Sequence, residues 1–253
     1  MLISPAVLVT GGSVATITLN RPQVLNAIDA CMLEALEQAL HAMENNPDVR
    51  VVIIAGMGEK AFCTGADLKH IRSIQGAEKR RFIERAYRVL ERIASSPLPF
   101  IAAIHGFALG GGLELAMACD LRIAEKSACL GLPEMALGSV PSFGAVQRLP
   151  LLVGQGVAME MLMLGNRLSA DEARQYGLVN QVVANGSAKS AAQEMASTLS
   201  ERPPEALRYA KLAVRNHASP AFAAAFHALV SDACHGDPRY ESSTQKFLNS
   251  NKQ

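Results

Sequence analysis

Two glutamates stand twenty residues apart in largely apolar sequence: Glu114 within Leu113 to Cys119 (LELAMAC), and Glu134 after Pro133. A run of three glycines, Gly110 to Gly112, immediately precedes the first. A carboxyl among Leu113, Leu115, Ala116 and Met117 has a raised pKa when buried, because desolvation disfavours its charged form. A pair of such carboxyls is what proton transfer near neutral pH requires. A helix start leaves its first amides unpaired, and glycine lets a ligand atom come close to the backbone. Amides converging on one point can hold an oxygen that gains negative charge during a reaction. The same residues also read as a tight turn, a helix-start carboxylate facing the dipole, and a surface glutamate. Residue type and spacing leave both readings open.

Other chemistries fit less well. Gly110 and Gly112 give G-x-G, but Leu115 occupies the third position of a dinucleotide fingerprint. No Gly-Lys-Ser/Thr follows the glycines, so they do not form a P-loop. Ser142 lies in Val140-Pro-Ser-Phe-Gly144, which lacks the first glycine of a nucleophile elbow. A hydrolase built on Ser142, His105 and an aspartate is a minor alternative, and His105 reads better as a core or turn histidine. The six histidines show no HxxxH or HxH spacing, and the five cysteines form no CxxC pair. Neither a metal site nor a disulfide framework is expected, and a reducing compartment fits best.

Composition narrows the class further. The 253 residues are 49% hydrophobic, enough for a sizeable core, with a formal net charge of +1. That charge gives no global pull toward polyanions, and without tryptophan an aromatic platform for single-stranded nucleic acid is not expected. The first residues lack a basic segment and a long apolar core, so no signal peptide is read, and no apolar run approaches a membrane span. A cytoplasmic protein with neither a nucleic-acid nor a membrane partner is expected.

The elements that must position the chemistry can be read in order. Val7 to Thr10 and Val14 to Leu19, flanking Gly11-Gly12, predict a hairpin. Asp29 caps a helix from about Ala30 to Glu44, with Met32, Leu33, Leu36, Leu40 and Met43 at helical spacing. Arg50 to Ala55 reads as a buried strand, and Gly56 to Asp67 as a loop with a glycine bend at Gly65. A helix from about Ala77 to Ser95 presents mixed charges on a solvated face. Phe100 to Ile104 is a buried strand, Leu113 to Cys119 a helix and Leu121 to Ala124 a second apolar segment. Met135 to Arg148 is rich in turn residues, and Gln155 to Leu164 is a short apolar helix. Ser169 and Glu172 form a capping box, Gly177 stops that helix, and Leu178 to Val183 is a last short strand. Helices follow over 187–200, 203–217, 219–235 and 238–248. The expected architecture is an α/β core over 1–186 with a helical C-terminal region over 187–253. No internal repeat is visible.

Taken together, these segments resemble the enoyl-CoA hydratase/isomerase (crotonase) family over nearly the whole chain. The landmarks are Thr16 to Pro22, Asn26-Ala27, Ala61 to Lys69 (AFCTGADLK), Ala102 to Gly112 (AAIHGFALGGG), Glu114 to Ala116, Cys119-Asp120, Pro133-Glu134, Gln147 to Leu149 and Gly165 to Val179. The resemblance implies a crotonase-like spiral of ββα units. It also implies a C-terminal helical subdomain for oligomerisation and active-site closure, and a homotrimer or dimer of trimers. The implied substrate is an acyl-coenzyme A thioester, with no metal or separate cofactor.

The resemblance also implies roles for individual residues. Ala66 and Gly111 become the amides that hold the thioester oxygen, with Glu114 and Glu134 as the acid–base pair. Val24, Ala66, Asp67, Leu68, Lys69, Gly111, Pro133 and Ser142 are put along the substrate and coenzyme A cleft. The implied reaction is hydration of a trans-2-enoyl thioester to a 3-hydroxyacyl thioester. A Δ3-Δ2 isomerase, a specialised dehydratase and a non-catalytic acyl-CoA-binding member are the alternatives. Two departures stand out. Ser142-Phe143 replaces the usual small residues, where Ser142 would re-aim the water and Phe143 would narrow the acyl pocket. Gln23 replaces a frequent basic residue beside the phosphates.

Overall fold

The computed structural model describes residues 5–216, Phe226, Val230 and 238–250. Most of the helix expected over 219–235 lies outside the described residues. β1 (Val7–Thr10) and β2 (Val14–Leu19) form the expected antiparallel hairpin. α1 (Ala30–Glu44) begins at Asp29, whose carboxylate accepts the Met32 amide at 2.8 Å. This satisfies one of the orphan donors of the helix start.

β3 (Val51–Gly56) is buried along its whole length, as a run of β-branched residues at the centre of a parallel sheet must be. It pairs with β2 on one side and with β5 (Phe100–Ile104) on the other. β7 (Leu121–Glu125) and β10 (Gln181–Val183) complete a six-stranded sheet in the order β1-β2-β3-β5-β7-β10, parallel after the first pair. Alternate residues of β3 serve two layers. Val52 and Ile54 face the main core, while Val51, Ile53 and Ala55 meet Ala188, Ala192 and Ala196 of α7 (Ala188–Ser200).

A second sheet lies within segments where the sequence predicts no strand. β4 (Ala61–Cys63), β6 (Phe107–Leu109), β8 (Cys129–Gly131) and β9 (Arg167–Ser169) pair in that order. Each is three residues long, too short to display a period of two, and exists because a neighbour completes its ladder. Three passages of the chain through the large sheet are each followed by one through the small sheet and then by helix. β3 and β4 lead into α2 (Leu68–Ser73) and α3 (Gly76–Ser95), β5 and β6 into α4 (Gly111–Ala118), and β7 and β8 into α5 (Ala145–Leu164). This is the ββα spiral of the crotonase fold. Between β5 and β6 the chain reverses at Gly106 (φ +52°), where an added Cβ would lie 2.0 Å from the Lys60 carbonyl oxygen. Only glycine fits there.

Two further sequence readings are modified. The turn-rich stretch after Glu134 ends at Ala145, so the expected Gln155 to Leu164 helix is the second half of α5, beyond a break at Gly154 (φ +78°). The charged face of α3 is not wholly solvated. Arg85 and Arg92 pair with Glu37 and Glu44 of α1 at 2.5 and 2.6 Å. The capping box at Ser169 forms as expected and starts α6 (Ala170–Gln175). α8 (Pro204–Arg215) is pinned by Lys211, which donates to the Leu98 carbonyl and pairs with Asp120 at 2.8 Å. Among the described residues no helix is long and apolar enough to cross a membrane.

One buried cation joins α4 to the edge of the large sheet. Arg122 on β7 donates to the Cys119 and Leu178 carbonyls, each at 2.7 Å. Arg122→Met should strand both acceptors and destabilise the fold by about 1–3 kcal/mol for each. Arg122→Lys should recover only part of this, because one ammonium lacks the spread of a guanidinium. Urea unfolding of the three proteins checks the ordering.

Candidate active site

α4 is buried on all sides, and Glu114 is its only charged residue. A helix that is apolar all round belongs in a core. Glu114 is accordingly only 1% exposed. Its Oε1 accepts two backbone amides, from Phe143 and Ala145, both at 2.8 Å. Gly144 between them has φ +115° and sits where an added Cβ would strike the Arg148 guanidinium. This conformation, open to glycine, turns the flanking amides onto one oxygen.

Glu134 reaches the same place by sheet register. β6 and β8 run parallel with Leu109 opposite Gly131, and the Gly110 amide donates to the Gly131 carbonyl at 2.9 Å. The residue before the glycine run is thereby level with the residue three before Glu134. A short 3-10 turn, Pro133–Leu137, then folds the Glu134 side chain against Gly110. An added Cβ on Gly110 (φ +52°) would lie 2.7 Å from the Glu134 Oε1. Glu134 Oε2 is buried and has no hydrogen-bond partner among the described residues.

The electrostatics follow from this placement. Burial pushes the Glu114 carboxyl up to about 7, assisted by the Glu134 charge and opposed by the two amides and Arg148. Burial also raises Glu134. Two carboxyls in one apolar site resist simultaneous ionisation, and the Glu134 charge accordingly raises Glu114.

The second glycine bend joins the first. A Cβ on Gly65 (φ +91°) would lie 2.8 Å from the Gly111 nitrogen. The Ile28–Ala66 bridge uses the Gly65 carbonyl and the Asp67 amide, leaving the Ala66 N–H outside it. Gly111 opens α4, where amides have no acceptor within the helix. The Phe143 ring covers Gly111, 2.8 Å from where its Cβ would be. That ring packs edge-on against Phe82, and Phe82 against His70.

The other sequence-selected residues are held by several elements. Asp67 is the N-cap of α2 and accepts the Lys69 and His70 amides. Burial raises its carboxyl, but the Arg21 hydrogen bond and these amides outweigh that and hold it low. Its carboxylate is thus committed to structure. Leu68 is 55% exposed, Lys69 and Ser142 are exposed, Val24 ends a short 3-10 turn, and Pro133 starts the turn that carries Glu134. Buried Asn26 fixes the neighbouring loop by donating to the Met57 and Ala61 carbonyls at 3.0 and 2.9 Å. His105 is a core histidine, as expected, and burial lowers its pKa. Cys63 and Cys119 are buried thiols pushed up to about 12, so neither is a ready nucleophile. Among the described residues no cluster of histidine, cysteine and carboxylate could hold a metal ion.

The sequence reading missed the Phe143 and Ala145 amides that hold Glu114. Their signal is Gly144, one residue before a helix start, but nothing in the sequence shows which carboxyl they receive.

A sheet spiral with one buried and one partly buried carboxyl at paired glycine bends defines the class. The profile of the enoyl-CoA hydratase/isomerase family matches residues 10–249, and the chain belongs to that family. The short-chain-enoyl-CoA hydratase of Clostridium acetobutylicum is 39% identical over 214 residues, 85% of this chain and 82% of that one. The crotonyl-CoA hydratase of Syntrophomonas wolfei is 44% identical over 169 residues, 67% of this chain and 65% of that one. The crystal structure of an enoyl-CoA hydratase from Bacillus anthracis has a TM-score of 0.92 at 36% identity, covering 97% of this chain and 96% of that one.

The raised Glu114 pKa makes stability depend on pH. The folded protein keeps a proton that the unfolded chain releases above about 4.5, so stability falls as pH rises toward about 7 and stays lowered above it. Glutamine can still accept both amides but carries no charge. Glu114→Gln should therefore remove a pH-dependent loss of about 3 kcal/mol and be the more stable form at pH 8. Thermal unfolding of both proteins from pH 4.5 to 8 checks the crossover.

Proposed function

We propose that this protein is an enoyl-CoA hydratase acting on a short acyl chain. The observation that carries the reading is the pair of carboxyls with raised pKa, Glu114 buried and Glu134 partly buried against Gly110. The names of the relatives agree with it. In this reading the Ala66 and Gly111 amides receive the thioester oxygen. Ionised Glu114 takes a proton from water as the water oxygen bonds to C3. The C2–C3 π electrons move toward the thioester, whose oxygen gains charge between the two amides. Protonated Glu134 then delivers its proton to C2, and the carbonyl re-forms. Donors fixed where charge develops favour the transition state over the bound substrate. The reading needs no metal or separate cofactor.

Short-chain preference rests on Phe143, a buried ring directly over Gly111 with Phe82 behind it. The reading extends to assembly as a trimer or dimer of trimers, for which exposed Leu151, Met163 and Leu164 of α5 offer an apolar surface.

Loss of the conjugated enoyl absorbance on crotonyl-CoA tests the reaction. Glu114→Gln and Glu134→Gln should each lower kcat by about 10²–10⁴, and the double variant should be little worse than the poorer single one. The rate should rise with pH through about 7 as Glu114 ionises. Either single variant at the wild-type rate would falsify its assignment. A thioether analogue lacking the carbonyl oxygen should bind more weakly by about 1–3 kcal/mol. Phe143→Ala should shift the optimum toward longer enoyl chains across a length series. An unchanged optimum would remove Phe143 as the limit.

A further inference from the structure

Glu114 is held by a loop, and that loop is itself held by one side chain that the proposed reaction does not use. Arg148 lies in the first turn of α5, one turn beyond the Phe143 to Ala145 segment. Its Nη1 donates to the Phe143 carbonyl at 3.1 Å. Its Nη2 pairs with Glu91 of α3 at 2.5 Å. The guanidinium also fills the space under Gly144, where an added Cβ would lie 1.9 Å from Nη1. The Phe143 peptide is therefore gripped at both ends. Its amide side reaches Glu114 through Phe143 N, and its carbonyl reaches Arg148.

The geometry points to Arg148 as a positioning residue for Glu114, clamping the Phe143 to Ala145 loop against α3 and setting a positive charge beside the buried carboxyl. This rests on the proposed hydratase reading for its effect on turnover, but its effect on Glu114 does not require turnover.

Few charged groups compete for this role. The elements packed on α4 are α3, α5, β4 and β6. Among the described residues, α3 brings Glu91 to Arg148, α5 brings Arg148, and the 3-10 turn after β8 brings Glu134. β4 adds only the Cys63 thiol, which burial keeps neutral, and β6 is Phe-Ala-Leu. Arg148 is the nearby cation that opposes the desolvation of Glu114 and the repulsion from Glu134. Glu91 is half exposed, so its counter-charge is partly screened by water.

The test uses Arg148→Met, Arg148→Gln and Arg148→Lys, each with and without Glu114→Gln. The difference in unfolding temperature between the two forms of each background, followed from pH 4.5 to 9, reports the Glu114 midpoint without any substrate. The neutral variants should raise that midpoint by roughly one pH unit, and Arg148→Lys should leave it near the wild-type value. On crotonyl-CoA, Arg148→Met and Arg148→Gln should lower kcat by about tenfold or more with little change in KM. The acidic limb of the rate profile should move with the midpoint. An unmoved midpoint in both neutral variants overturns the inference, as does an equal shift in Arg148→Lys. A wild-type protein inactive on every enoyl thioester, with the midpoint still shifting as stated, would remove the hydratase reading and leave the role of Arg148 standing.

Discussion

The structure is organised by the burial of one carboxyl. An ionised carboxylate in an apolar helix is unfavourable unless it is hydrogen-bonded or neutralised. Here Glu114 receives two amides on one oxygen and has a second carboxyl nearby. The amides come from a loop that could not meet that oxygen without a left-handed residue at Gly144. That loop in turn is fastened by Arg148 to Glu91 and by the Phe143 ring to Gly111 and Phe82. α3, α4 and α5 thus converge on one titratable group. Its pKa near neutrality follows from incomplete compensation: the donors offset desolvation only in part, and Glu134 works against them.

The second carboxyl depends on a different kind of constraint. Glu134 is set by the parallel register of β6 and β8, two strands of three residues each. A slip of one residue would turn every side chain to the opposite face and carry the carboxyl away from Gly110. The absence of a side chain at Gly110 matters equally, since a Cβ would meet the carboxyl at 2.7 Å. Close contact between the two glycine bends has the same origin, with Gly65 against the Gly111 nitrogen. The glycines therefore act as spaces that let three segments of backbone approach one another.

Outside this buried centre, the site is framed by groups that hold the backbone. Arg21 donates to the Ala27 carbonyl and pairs with Asp29 and Asp67. Asn26 spends its amide on two carbonyls. Leu68 and Lys69 remain open on the first turn of α2.

The sequence by itself determined the long elements and the residues of interest. The hairpin, α1 with its Asp29 cap, the buried strands β3 and β5, α3 and the capping box at Ser169 were legible, because each rests on periodicity or local hydrogen bonding within a few residues. The glycine run, the paired glutamates and the family resemblance were legible for the same reason. Tertiary structure decided the rest. The small sheet has strands too short to carry a pattern, so Gly56 to Asp67 read as loop until β6 supplied a partner for β4. The threefold ββα spiral left no internal repeat in the sequence, because its turns share a backbone path and not side chains. Whether Glu114 was a helix-start carboxylate or a buried carboxyl with a raised pKa could not be read from LELAMAC alone. Only the arrival of the Phe143 and Ala145 amides, and of Glu134 across the register of β6 and β8, made it the latter kind of group. Hydrogen bonds and charge coupling between segments twenty to thirty residues apart are set by packing, and packing has no local signature.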